Sequence, residues 1–111
     1  MPGKFRVSKT TNGKFKFNLY AVNGRIILTS QTYATKASAL KGVESVRTCG
    51  VDLAQFDRRT ASNGQPYFVL LAKNKQVIGN SEMYSGLPAM EKGIVSVTKH
   101  AADAKLFEDL G

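Results

Sequence analysis

His100 is the single histidine and Cys49 the single cysteine of the chain. His100 falls in the last turn of a helix-periodic segment, where capping the helix dipole is the ordinary role of such a side chain. Cys49 ends an earlier segment of the same kind, away from the helix N-terminal position that activates a thiolate. One cysteine forms no internal disulfide, supplies no thiol-rich metal site and fits a reducing compartment. Of the eight carboxylates only Glu108 and Asp109 are adjacent, and no spacing puts two on one helical face for acid–base work or cation binding. The glycines build neither a phosphate loop nor a dinucleotide fingerprint. The sequence therefore predicts no catalytic constellation, no metal site and no cofactor.

What remains is binding. The net charge is +8, and residues 1–43 carry eight basic side chains and no acidic one, because Glu44 is the first carboxylate. Such an asymmetry suits an anionic partner, and equally a well-solvated surface. Arg6, Lys14, Lys16 and Arg25 with Tyr20 form a candidate nucleic-acid contact, in which bases stack on a sheet while cations follow phosphates. No aromatic RNA-recognition signature accompanies them. Tyr67, Val69 and Leu71 form a candidate protein contact, with a partner protein or by self-association, because an apolar patch on an open sheet face commonly marks one.

These residues hold their places through a repeat. Residues 5–50 lie over residues 56–101 without a gap, so that Phe5, Asn12, Gly13, Phe17, Leu19 and Ile27 return 51 positions later as Phe56, Asn63, Gly64, Phe68, Leu70 and Ile78. Ser30, Tyr33, Lys41 and Gly42 return as Ser81, Tyr84, Lys92 and Gly93. A gapless match of this length predicts two copies of one supersecondary unit, each too small to bury its apolar face alone. The expected organisation is one domain over 1–111, with copy one at 5–50, copy two at 56–101 and a C-terminal strand or tail at 102–111. The repeated Ser and Tyr are expected to shape the scaffold rather than a pocket. Function is then sought where the copies differ.

Within each copy the periodicity switches. "KFKFNLYA" alternates, with Phe15, Phe17, Leu19 and Ala21 on one side and Lys14, Lys16, Asn18 and Tyr20 on the other, as in a half-buried strand. "FRVSKT" and "RIILTS" flank it, joined at Asn12-Gly13 and Asn23-Gly24, which predicts three antiparallel strands. A strict two-residue loop at Asn12-Gly13 would set Phe5 and Val7 opposite Phe15 and Phe17, so an odd-length loop with Gly13 left-handed is expected. After Asn23-Gly24 the register leaves either Ile27 and Ile78 or Ile26 and Val77 on the outer face. A helix capped near Thr35 follows, with Ala39, Val43 and Val46 inward; Met90, Ile94 and Val97 repeat the stripe, and Pro88 suits the first turn. Gly42 and Gly93 sit mid-helix and predict a close approach there, to the sheet or to the sister helix. "VDLAQFDRR" and "AKLFEDL" read as short strands that lengthen the sheet or cross between copies.

"GKFKFNLYAVNGRIILTSQTYATKASALKGVESV" and its partner "NGQPYFVLLAKNKQVIGNSEMYSGLPAMEKGIVSV" closely resemble the YegP-like family of small bacterial proteins, defined by tandem copies of a domain of unknown function. The resemblance covers almost the whole chain. It implies an α+β fold of two β-β-β-α-β repeats sharing one antiparallel sheet, with helices on one face and C-terminal strands exchanged, and it implies no activity. The departures are Pro66 in the place of Phe15, and Gly86-Leu87-Pro88 in the place of Thr35-Lys36-Ala37. No apolar run approaches the length of a membrane span, and "MPGKFRVSKT" lacks the apolar segment of a secretory signal, so the cytosol is the expected location.

Overall fold

The computed structural model describes residues 3–109. Copy one forms β1 (Lys4–Lys9), β2 (Phe15–Tyr20), β3 (Ile26–Ser30) and α1 (Lys36–Cys49). Copy two forms β4 (Phe56–Thr60), β5 (Pro66–Leu71), β6 (Val77–Asn80) and α2 (Leu87–His100), and β7 (Lys105–Asp109) follows. Within the expected strand or tail at 102–111, Lys105–Asp109 is strand, and residues 110 and 111 lie outside the described residues.

All seven strands share one sheet in the order β4-β5-β6-β3-β2-β1-β7. Two expectations need correcting. The sheet is mixed, because β7 pairs with β1 in parallel; a strand reached through a helix instead of a hairpin is free to run that way. The two copies also do not each own a strand after the helix. Only a 3-10 turn (Leu53–Gln55) separates α1 from β4, so the strand following α1 is the strand that opens copy two.

The hairpin turns follow one plan. Gly13 N–H donates to the Thr10 carbonyl at 3.1 Å and Thr10 N–H to the Lys14 carbonyl at 2.7 Å, with Gly13 at φ +81°. That is a three-residue loop closed by a left-handed residue, the odd-length turn the alternation requires. Gly24 and Gly64 repeat it, and at the fourth hairpin Lys75 takes the left-handed place with φ +68°. In three of the turns Asn23, Asn63 and Asn74 each accept the N–H two residues on at 3.0 Å.

Bulges at Leu19/Tyr20 and Leu70/Leu71 decide the open register. They bring Tyr20 opposite Ile26 and Leu71 opposite Val77, which therefore share the outer face. Ile27 and Ile78 turn into the core instead. Phe5, Val7, Phe17 and Leu19 from copy one and Phe56, Phe68 and Leu70 from copy two meet Val43, Val46, Met90, Ile94 and Val97 in one cluster. Each such side chain contributes about 1.5–3 kcal/mol on leaving water. Both helices therefore cover the same side of the sheet, and the opposite side carries no helix. Thr35 caps α1 by accepting the Ser38 N–H at 3.1 Å, as expected, whereas Gly86 at the start of α2 has no side chain to offer.

Candidate functional site

The repeated letters have a structural use. Ser30 Oγ accepts the Phe17 N–H at 2.8 Å and donates to the Gln31 carbonyl at 2.7 Å, tying β2 to the end of β3. Ser81 does the same between Phe68 and Glu82 at 3.0 and 2.7 Å. Tyr33 stacks on Phe17 and Tyr84 on Phe68, each with ring centroids 6.2 Å apart and planes 12° from parallel. Their hydroxyls lie over the mid-helix glycines. A Cβ on Gly42 would stand 2.5 Å from the Tyr33 oxygen, and one on Gly93 2.2 Å from that of Tyr84. The close approach predicted for both glycines is therefore to the sheet side, made by the tyrosines together with Phe17, 2.8 Å from a Cβ on Gly42, and Phe68, 3.2 Å from one on Gly93. Burial pushes both phenols above their ordinary pKa, with Glu82 adding to the effect at Tyr84.

Each phenol also borders a cleft made from both copies. In one, Tyr33 and Lys41 face Gln76 and Ile78 around about 260 Å³. In the other, Tyr84 and Lys92 face Arg25 and Ile27 around about 800 Å³. The two are counterparts under the 51-residue shift. Sequence reasoning paired Lys41 with Lys92 but did not foresee that each meets a hairpin of the other copy, because that contact is long-range. The larger cleft also takes up Glu82, so its charges are mixed.

The outer sheet face holds most of the predicted binding residues. On copy one, Arg6 is ion-paired with Asp109 of β7, and the Lys4 ammonium stands 5.2 Å above the Tyr20 ring. Lys16 is half-buried on β2, and Lys14 is exposed in the preceding turn. Arg25 lines the larger cleft beside Tyr84 and Lys92, and Tyr20 borders the same cleft. On copy two, Tyr67 and Leu71 are half-buried, while Val69, paired with Asp57 on one side and Asn80 on the other, is only 3% exposed. Arg59 reaches both Asp57 and Tyr67, which hold its guanidinium charged. Copy one thus presents cations, an amide and one aromatic ring where copy two presents an apolar row. β7 lies at the far edge from that row and does not cross it.

The remaining chemistry-bearing residues are held by backbone or core. His100 donates from Nδ1 to the Ser96 carbonyl at 2.7 Å, inside its own helix. Cys49 is buried and unbridged. No group of three His, Cys, Asp or Glu that could hold a metal ion occurs among the described residues.

The sheet order, the paired copies and the tyrosine-over-glycine contacts together describe a duplicated unit. A family described as "Domain of unknown function (DUF1508)" matches residues 11–57 and again residues 61–108. The chain belongs to that family. It is similar to a UPF0339 protein of Pasteurella multocida, 47% identical over 108 residues covering 97% of this chain and 94% of that one. It is similar also to the UPF0339 protein YegP of Yersinia pestis, 47% identical over 88% of each chain. Among solved structures, the solution structure of YegP from Escherichia coli, titled a protein of unknown function, superposes with a TM-score of 0.94. It is 41% identical, and the match covers 100% of this chain and 96% of that one. The YegP-like resemblance and the tandem repeat are therefore established. No helix among the described residues is long and apolar enough to cross a membrane.

Proposed function

We propose that this protein is a non-enzymatic interaction module that contacts another protein through the open sheet face of copy two, around Tyr67, Val69 and Leu71. One observation carries the reading: an apolar row lies on the helix-free side, and β7, the strand that could have covered it, is at the opposite edge. Val77 and Ile26, both half-buried, continue the row toward copy one. Rows of this kind favour association because removing them from water is worth about 25 cal/mol per Å².

Val69 is buried within the sheet, so the half-exposed Leu71 is the cleaner place to test the face. Immobilised protein carrying Leu71→Asp should lose a partner that wild type retains from a cell extract, while Lys16→Glu on copy one keeps it. A partner kept by Leu71→Asp, or lost equally with both variants, overturns the reading. The rival is nucleic-acid binding through Arg6, Lys14, Lys16, Tyr20 and Arg25. It has less support, since Arg6 is engaged with Asp109 and Arg25 faces the cleft. Anisotropy titrations of single-stranded and duplex probes at about 50 and about 200 mM salt decide it, because phosphate contacts must weaken steeply between them.

A further inference from the structure

The sheet is almost twofold symmetric, and the one strand that breaks the symmetry shows what a free edge of this fold accepts. Thr29 and Asn80 stand 51 positions apart and pair with each other at the centre of the sheet. About that pair β1 exchanges with β4, β2 with β5 and β3 with β6. β7 lies against the outer edge of β1, and among the described residues no strand lies against the outer edge of β4. The cause is in the repeat. Phe107 stands 51 positions after Phe56, so β7 takes the place after α2 that β4 takes after α1. The strand that should have flanked β4 by symmetry is the one following α1, and that strand is β4 itself.

We propose that the outer edge of β4 takes up an extended peptide of a partner protein as a parallel eighth strand, the peptide carrying an aromatic residue followed by two acidic ones. An edge strand presents unpaired N–H and C=O groups, and adding a strand satisfies them whatever the partner's fold. The side-chain chemistry is read from β7. On β1 the register places Phe107 opposite Arg6, Glu108 opposite Val7 and Asp109 opposite Ser8. The two acids reach Lys36 and Arg6 in ion pairs. Shifted by 51 residues, the same register sets the aromatic position opposite Asp57 and the two acidic positions opposite Arg58 and Arg59. The aromatic ring then falls in the row that contains Val69, since Asp57 and Val69 are paired. It extends the apolar face of copy two, and in that part the proposal rests on the protein-contact reading.

Arg58 and Arg59 are at present paired with Glu91 and Asp57, with side chains roughly half exposed. Exposed pairs of that kind contribute little and exchange readily for new ones. The occupant is a partner rather than a second copy of this chain, because the chain's own β7 is engaged. Besides the two ion pairs, the Lys105 N–H donates to the Gly3 carbonyl at 3.2 Å.

The test uses the full-length, isotope-labelled protein and a capped synthetic peptide with the sequence of residues 104–109, followed by amide chemical shifts. Saturable shifts in residues 56–60 are expected, together with affinity about tenfold weaker for a peptide whose two acids are replaced by lysine. The same loss is expected with the Arg58→Glu/Arg59→Glu variant. No shift in residues 56–60 at about millimolar peptide overturns the proposal. So does a shift confined to residues 4–8, which would mean that the peptide merely displaces β7. A concentration-dependent dimer with β4 already engaged overturns it in favour of self-association. The two proposals fail separately: a partner kept by Leu71→Asp while the peptide still shifts residues 56–60 sinks the face reading alone, whereas a partner lost with Leu71→Asp while the peptide leaves residues 56–60 of the wild type unshifted sinks the edge alone.

Discussion

Copy one has β7 laid along its sheet edge, an aromatic and basic outer face and a capped helix; copy two has an edge that no strand among the described residues covers, an apolar outer face and a helix that starts at Gly86-Leu87-Pro88 with no side-chain cap. The tyrosine, serine and glycine that pin each helix to its sheet are the same in both. What is duplicated is therefore the internal frame, and what has diverged is surface. Divergence on that pattern is expected when the core constrains both copies alike and the surface does not.

The comparison is broken most severely at the seam between the copies. Leu28 occupies β3 as a buried core residue, but its counterpart Gly79 admits no side chain, since a Cβ there would stand 2.5 Å from the Thr29 carbonyl oxygen. Backbone cannot yield as a side chain can. Gly79→Ala should cost about 3 kcal/mol, read as a lowered denaturant midpoint at unchanged slope. Next come the mid-helix glycines. Gly42→Ala and Gly93→Ala each gain about 1 kcal/mol of helix propensity and lose more to the crowding tyrosine, for a net cost of about 1 kcal/mol. The cost should be larger at Gly93, where the hydroxyl is nearer. Adding Tyr84→Phe to Gly93→Ala should recover part of it, and a double-mutant cycle with zero coupling would show that the hydroxyl is not the obstacle.

Two smaller changes should make copy two more like copy one. Lys75 holds the left-handed turn position that glycine holds in the other three hairpins. Lys75→Gly should stabilise by about 0.5–1 kcal/mol, seen as a rise in thermal midpoint, because a Cβ is disfavoured there. Gly86 has extended backbone that any residue adopts, and its nearest non-neighbour atom to a new Cβ is 3.7 Å away. Gly86→Ser should add the cap that Thr35 gives α1, worth about 0.3–0.5 kcal/mol over glycine. A null result there would mean that Pro88 already fixes the start of α2.

Much of the frame was legible because it rests on local rules. The alternation of Phe15, Phe17 and Leu19, the Asn-Gly turns, the cap at Thr35 and the stripe of Ala39, Val43 and Val46 each depend on neighbours within a few positions. The mid-helix glycines announced a close contact with the sheet or the sister helix but not the tyrosine in it, since Tyr33 reaches Gly42 only once α1 has folded back over the sheet. Ile26 and Ile27 could not be told apart, because a bulge at Leu19/Tyr20 inverts the alternation without any glycine to mark it. Arg25 was grouped with Lys14 and Lys16 for the same reason. Val69 looked available from its outward register, but its burial depends on strands from elsewhere in the chain. The parallel pairing of β7 and the double use of β4 depend on the whole topology, and no local pattern encodes them.

The pairing of β7 with β1 also governs how the molecule bears a load. The two strands are neighbours and parallel, so the end of β1 nearest the N-terminus and the end of β7 nearest the C-terminus lie at opposite ends of the pair. Tension applied through the termini therefore pulls one strand lengthwise past the other and strains every rung between them together, instead of unzipping them one at a time. A chain that is only modestly stable to heat or denaturant can for that reason be stiff when it is stretched from its ends, with the pair of strands at one margin of the sheet acting as its clamp.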